Sequence, residues 1–287
     1  MLNDIEVDVG LKQCEPDLAD RGVDIVLAQT PTRTQVTKSV AESVGEGVKH
    51  WSDDTGLRTY VRRIRWKNGS QRMEIELQYL YTGEGPLIVP VELANFALAG
   101  SQMFDIRDSF FDTSNLDLRR SGCSLRVRRQ SNLPTPILTW KGPSTRRPDR
   151  AREREEIEAP VDHIPADGTE MLEMITAAGL LGKVTDVLGN APSLALIGEL
   201  ENRRSTHDYV QGLHRVELCW DRLRFPLGPA QIRLELETQN DAAGRFIGAF
   251  DAELRALLNG DLSDAEYGKA KELCVRLYPE LFTPKAA

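Results

Sequence analysis

The chain has 287 residues, 40% hydrophobic and 28% charged, with a formal net charge of −8. That length holds one large domain or two ordinary ones, and the spread of apolar residues excludes global disorder. The acidic balance excludes a surface that is basic all over, and with it general nucleic-acid binding.

Residues 1–56 read as an N-terminal extension of unknown role. They hold a short apolar run, Val23-Asp24-Ile25-Val26-Leu27, and then Pro31. Val36, Val40, Val44 and Val48 recur every four residues, which predicts a short helix broken near Gly45 and Gly47. From Leu57 the apolar period changes to two, which opens the main domain, residues 57–287. Tyr60, Ile64 and Trp66 share one strand face, and Met73 to Tyr79 forms the next strand. Asn68-Gly69 between them is a two-residue hairpin signal, because both residues tolerate positive φ. Such a turn sets Arg63 opposite Glu74.

Val91 to Gly100 predicts a helix ending at the glycine. Strands follow at 106–112, 124–130, 137–141 and 152–159, with a charged loop from Gly142 to Asp149. A helix is expected over 169–178, then strands over 196–209, 215–225 and 231–238. The end reads as helical. Phe246, Ile247, Phe250, Leu254 and Leu257 line one face of 242–258, and Ser263-Asp264-Ala265-Glu266 reads as a capping box for a last helix reaching Tyr278. About eight strands without β-α-β alternation predict a mainly β, antiparallel α+β protein with peripheral helices.

Cysteines 14, 123, 219 and 274 form no C-x-x-C pair, and histidines 50, 163, 207 and 214 form no close ligand pair. Zinc is disfavoured, and any metal must sit on carboxylates. The longest apolar stretch, Leu87 to Gly100, is interrupted by Pro90 and Glu92 and is too short to span a bilayer. The start lacks the basic and apolar regions of a signal peptide. A reduced, cytoplasmic protein with no membrane partner is expected. Of the 36 basic residues 27 are Arg, and 11 of these lie between Arg107 and Arg154. Arg matches phosphate or carboxylate oxygens bidentately.

Several strands alternate charge with apolar residues: Glu74, Glu76 and Gln78; Arg126 and Arg128; Arg154, Glu156 and Glu158; Arg215, Glu217 and Asp221; Glu235 and Glu237. An antiparallel sheet with one solvated face explains any single strand. A closed barrel with the charged faces turned inward explains them together. Its interior needs both signs, because buried charges must be paired. Acidic clusters would hold a divalent cation and basic ones an anion.

The motifs follow one another as Glu74-Ile75-Glu76, Phe111-Asp112-Thr113, Leu125-Arg126-Val127-Arg128, Thr139-Trp140-Lys141-Gly142, Arg154-Glu155-Glu156-Ile157-Glu158, Asn202-Arg203-Arg204, Trp220-Asp221 and Glu235-Leu236-Glu237. This order resembles the CYTH family, the triphosphate tunnel metalloenzymes, over roughly Met73 to Tyr278. The resemblance implies an eight-stranded antiparallel tunnel barrel and hydrolysis of inorganic triphosphate or an organic or nucleoside triphosphate with Mg2+ or Mn2+. It implies that Arg126, Arg128, Lys141, Arg154, and Arg203 or Arg204 grip phosphate. Glu74, Glu76, Glu235 and Glu237 would hold metal. Glu76, Glu156 and Lys141 carry the catalytic roles. Gln78 stands where the family usually has Lys, and is expected on the same strand face as Glu74 and Glu76, facing substrate. Asp112 is expected to cap its turn and Trp140 to pack in the core. His207 is expected to be structural. Asp221 would orient an Arg or end its strand, and Glu158 would lie outside the tunnel mouth. Two alternatives stay open: a class IV adenylyl cyclase making cyclic AMP from ATP, and a non-catalytic polyphosphate- or nucleotide-binding module. A homodimer is compatible with either.

Overall fold

The computed structural model describes residues 5–7, 23–27, 34–36, 49–52, 58–66, 70–83, 88–190, 192–238 and 246–282, with side chains from residue 71 onward. The chain divides into two compact units, residues 1–70 and 71–287.

In the first unit β1 (Ile5–Val7) pairs antiparallel with β3 (Thr34–Val36). The apolar run at 23–27 is β2 (Val23–Leu27). With β4 (Lys49–Ser52) it flanks β5 (Arg58–Trp66) in a three-stranded antiparallel sheet. β2 pairs along residues 61–66 of β5 and β4 along 58–61, and Arg63 lies opposite Val26. The turn residues 67–69 of the hairpin expected to set Arg63 against Glu74 lie outside the described residues. So do residues 37–48, which carry most of the valine-spaced helix expected there.

The second unit is built on β6 (Ser70–Tyr81), β8 (Phe96–Asp112), β9 (Ser124–Gln130), β10 (Ile137–Lys141), β12 (Arg152–Pro160), β13 (Ala195–Gln211), β14 (His214–Arg224) and β15 (Gln231–Thr238). They pair in the order β12-β10-β9-β8-β13-β14-β15-β6, and β6 pairs back to β12. The result is a closed antiparallel barrel of eight strands. Closure removes the free edges that an open sheet would leave. Short strands β7 (Glu92–Leu93), β11 (Thr145–Arg146) and β16 (Leu262–Asp264) attach to β8, β12 and β6.

Residues 91–100 are not a helix. β7 turns at Ala94 and Asn95, both at positive φ (52° and 64°), and β8 begins at Phe96. Two consecutive left-handed residues make the tight turn whose twist suits a hairpin. The apolar residues of 93–98 thus serve strands, with Leu93 and Phe96 buried. The expected capping box at Ser263 is also replaced. Ser263 and Asp264 lie on β16 opposite Leu80 and Tyr79, and the last helix starts at Lys269 behind Gly268.

Strand alternation separates the two faces. The outward apolar residues form two cores. One packs Ile75, Leu77, Tyr79, Leu218, Leu234 and Leu236 against helix α4 (Ile247–Leu257), with Phe250 fully buried. The other packs Leu125, Val127, Leu138 and Trp140 against α2 (Gly168–Ala177) and α3 (Leu181–Leu188), while α1 (Asp117–Arg120) follows β8. Asp167 starts α2 as its N-cap, accepting from the backbone N–H groups of Thr169 and Glu170. At one end of the barrel α5 (Lys269–Leu277) sets Leu273 against Phe110, Leu200, Leu223 and Phe225. A side chain at Gly198 would meet Leu277 at 2.6 Å, so the glycine lets α5 approach the strand.

Because the apolar core is on the outside of the barrel, Phe250→Ala is expected to cost about 3–5 kcal/mol of stability. Urea unfolding of the two proteins measures it.

Candidate active site

The barrel interior is lined by charges of both signs, held by strands whose other face is apolar. On β6, Glu74 and Glu76 are buried between the outward Ile75 and Leu77. Glu74 accepts from Lys141 Nζ at 2.8 Å through both oxygens and from Arg154 Nε at 2.8 Å. Arg154 Nη2 also lies 2.7 Å from Glu76 Oε1. Glu156 lies 3.2 Å from Lys141 and accepts from Arg72 Nη2 at 2.8 Å. These residues come from β6, β10 and β12, which closure of the barrel makes neighbours.

A second group sits across β8 and β9. Arg128 makes a bidentate pair with Asp108, at 2.7 and 2.8 Å, and Arg126 reaches the same carboxylate at 3.4 Å. The third group joins β13, β14, β15 and α5. Arg204 grips Asp221 through two bonds at 2.6 and 2.7 Å and donates to Glu235 at 2.5 Å. Lys269 donates to Glu235 at 2.6 Å and also to Asp221. Gln78 links this group to the first, donating to Glu76 at 2.9 Å and Glu235 at 3.0 Å.

The electrostatics follow from burial set against partners. Burial alone would raise Glu74, but Lys141, Arg154 and Arg72 outweigh it and hold its carboxyl well below the usual range. Glu235 is brought down to about 2 against the same burial, by Lys269 and Arg204. Glu76 goes the other way. Burial raises it, and the nearby Glu74 and Glu235 add to that, so Arg154 does not bring it back. Glu237 is pushed up to about 8 by burial, with Glu235, Glu74 and Glu217 adding to it and Arg204, 3.6 Å away, offsetting only part.

Carboxylate oxygens of Glu74, Glu76 and Glu237 lie within 4.8 Å of one another. Three acid groups lie this close, and two of them are raised by burial, with neighbouring carboxylates adding to it, so a bound cation would favour their charged forms. An all-oxygen donor set suits a hard divalent cation such as magnesium or manganese, so these residues fit the metal. Among the described residues, buried Arg126 Nε, Thr139 Oγ1, Asn202 Oδ1 and Gln78 Oε1 on the inward strand faces have no hydrogen-bond partner, leaving polar positions for a bound molecule to satisfy.

The barrel thus gathers Glu74, Glu76, Gln78, Arg126, Arg128, Lys141, Arg154, Glu156, Arg204, Glu235 and Glu237 on its inner face. Gln78 shares the strand face of Glu74 and Glu76, as expected. Glu235 is held by Arg204 and Lys269, and Gln78 bridges it to Glu76. Of Arg203 and Arg204, it is Arg204 that faces inward: it pairs in register with Asp221, so alternation turns Arg203 outward, where its Nε reaches Met103 Sδ. Asp112 caps its turn, accepting from the backbone N–H groups of Thr113, Leu118 and Arg119. Trp140 is buried in the outer core. His207 contacts the Ser101 hydroxyl through Nδ1. Asp221 orients Arg204, and Glu158 lies 3.4 Å from Arg72 with 13% of its side chain exposed.

Asp108 and Lys269 escaped the sequence reading. Asp108 carries a faint signal, an acid between Ile106 and Phe110 on a strand. Lys269 carries none, because it comes from a helix and enters the interior from one end.

A charged interior enclosed by eight antiparallel strands, with carboxylates gathered beside arginines and lysines, defines a barrel of the tunnel type. The family model for the CYTH domain matches residues 72–263, and the chain belongs to that family. A comparison with curated protein sequences gave no match. Among solved structures, HpAC1 from Hippeastrum, named as an adenylyl cyclase and reported with a dominant triphosphatase activity, is 19% identical. It aligns over 70% of this chain and 94% of its own, with a TM-score of 0.50. A Bacillus halodurans protein named as an adenylate cyclase is 15% identical, over 70% of this chain and 97% of its own, with a TM-score of 0.42. The Schizosaccharomyces pombe Pct1 RNA triphosphatase is 12% identical, over 65% and 84%, with a TM-score of 0.29. At these identities the likeness to HpAC1 speaks for the fold alone.

Asp108 tests the interior pairing. Burial would raise its carboxyl, but Arg128 and Arg126 hold it well below the usual range. Asp108→Asn leaves Arg128 without its bidentate partner and is expected to cost about 3–5 kcal/mol at pH 7. A depressed carboxyl contributes stability above its unfolded value and loses it as pH falls. The gap between the two proteins should therefore narrow below pH ~4. Denaturant melts at pH 7 and at decreasing pH check both the size and the sign.

Proposed function

We propose that the chain is a divalent-metal-dependent triphosphatase that hydrolyses inorganic triphosphate or an organic or nucleoside triphosphate within the barrel. The observation that carries this reading is the placement of three acid groups, Glu74, Glu76 and Glu237, next to Lys141, Arg154 and Arg204 in one enclosed space. Phosphoryl transfer needs positioning and charge neutralisation more than covalent chemistry, and this set supplies both.

Arg126, Arg128, Lys141, Arg154 and Arg204 exchange their carboxylate partners, wholly or in part, for phosphate oxygens when substrate enters. The exchange keeps every guanidinium satisfied, and Arg forks suit phosphate as well as carboxylate. Lys141, between Glu74 and Glu156, faces the transferring group and stabilises the charge that develops on it. Glu156, 3.2 Å from Lys141, and Glu76 orient the attacking water. Glu74, Glu76 and Glu237 would hold magnesium or manganese, which when bound neutralises phosphate oxygens. Lys269 and Arg204 keep Glu235 ionised and fixed. Among the described residues no helix is long and apolar enough to cross a membrane. A triphosphate-bearing small molecule in the cytoplasm is the partner that this reading implies.

The test is phosphate release from inorganic triphosphate, thiamine triphosphate, ATP and GTP with magnesium or manganese. Release should cease in excess EDTA. Lys141→Ala should weaken triphosphate binding by about 1.5–3 kcal/mol, the worth of a charge-assisted hydrogen bond, with the fold retained. Turnover that persists in EDTA, or cyclic AMP as the main product from ATP, would overturn the reading.

Gln78 gives a sharper test of the geometry. Its amide bridges Glu76 and Glu235, so a lysine there would place an ammonium between two carboxylates beside the metal cluster. Gln78→Lys is expected to move the magnesium titration of phosphate release to higher metal concentration. Superimposable titrations would mean that position 78 does not face the chemistry.

A further inference from the structure

The outer wall of the barrel carries a second concentration of arginine that the tunnel does not use. Arg129 on β9, Arg107 on β8, Arg203 on β13, and Arg222 and Arg224 on β14 are all exposed around a groove of about 570 Å3. The register sets Arg107 directly opposite Arg129, and Arg203 directly opposite Arg222. Like charges facing each other across strands destabilise a sheet. Carboxylates offset this only in part. Arg107 pairs with Glu199, and Arg224 lies 3.7 Å from Glu201. Asp105 stands opposite Arg203 in register, yet Arg203 turns its Nε to the Met103 sulfur. Among the described residues Arg129, Arg203 and Arg222 have no carboxylate partner. In a protein of net charge −8, two facing arginine pairs around one groove call for an anion supplied from outside.

We propose that this groove is a second anion site, outside the tunnel, that binds a condensed phosphate such as pyrophosphate or triphosphate. Guanidinium forks on four neighbouring strands, spaced about 4.8 Å apart, reach across roughly 14 Å. That reach suits several linked phosphates better than one. Among the described residues no aromatic side chain lines the groove, so a nucleic-acid strand would find no platform there for its bases. Asp105 and Glu201 share the groove, which suits a compact magnesium-complexed anion and disfavours a long, uniformly charged one. The inference rests on the outer wall alone and stands whether or not the tunnel hydrolyses triphosphate.

The test is calorimetric titration of the full chain with pyrophosphate in magnesium, comparing wild type, the double variant Arg203→Ala with Arg222→Ala, and Lys141→Ala. The wild type should bind two equivalents. The double variant should lose one, its affinity there falling at least about tenfold. Lys141→Ala should keep that equivalent, so failure of the tunnel reading and failure of this one give different patterns. Removing Arg222 relieves a like-charge pair, so thermal melting of the double variant should be unchanged or raised. Arg129→Gln gives an independent variant with the same expected loss. A single equivalent in the wild type that is unaffected by the double variant would overturn the proposal. So would a short single-stranded RNA that binds more tightly than pyrophosphate and is lost in the double variant. Self-association abolished by the double variant, with no pyrophosphate bound at the groove, would assign the face to a second copy of the chain and would also overturn it.

Discussion

The structure depends on the cost of enclosing charge. Glu74, Glu76, Asp108, Glu156, Asp221 and Glu235 are each nearly inaccessible to water, as are Arg126, Arg128 and Arg204. Moving any one of them from water into the barrel alone would cost several kcal/mol. They are tolerable because every strand that brings in a carboxylate lies within reach of one that brings in a guanidinium or ammonium. The closed ring of strands makes that reach dependable, and the helices seal the apolar outer faces. The barrel is in this sense a core turned inside out, with its hydrophobic packing on the exterior wall.

The same balance bears on how a metal and a triphosphate would enter. Each interior carboxylate engaged by Lys141, Arg154 or Arg204 is unavailable to a cation until its basic partner finds another anion. Each basic partner is equally unavailable to phosphate until its carboxylate finds another cation. A metal and a triphosphate arriving together satisfy both halves, whereas either one alone strands part of the network. Under the proposed function, binding of the two would therefore be linked, each raising the affinity for the other by the same factor.

Most of the barrel was legible in the sequence because strand alternation writes the two faces directly. Glu74, Glu76 and Gln78 interleave with Ile75, Leu77 and Tyr79, and no other register buries both sets sensibly. The motif order supplied closure, which alternation alone cannot, since it does not say which strands are neighbours. What failed to show was set by local geometry or by distance along the chain. Arg203 and Arg204 are a doublet of equal chemistry, and only pairing with Asp221 decides which faces inward. Residues 91–100 have helix-forming composition, yet the left-handed pair Ala94 and Asn95 makes them a hairpin. Arg63 pairs with Val26 on β2, a partner that lies nearly forty residues away in the chain and that no local turn signal announces. Lys269 belongs to no strand pattern at all.

The closing pairs have a consequence for how the molecule comes to exist. β6 meets β15 through residues such as Gln78 and Glu235, which are 157 positions apart in the chain, and it meets β12 on its other edge. Contacts of such long range come late and slowly, because a large loop must be ordered before they repay its entropy. Until β15 has left the ribosome, the growing sheet is open along β6, and its carboxylates and arginines stay hydrated. β15 therefore brings the final hydrogen bonds of the ring, and β16 and α5, which follow it in the chain, add a strand to β6 and carry Lys269 into the interior from one end. A nascent chain that ends before β15 is an open sheet with an unpaired edge.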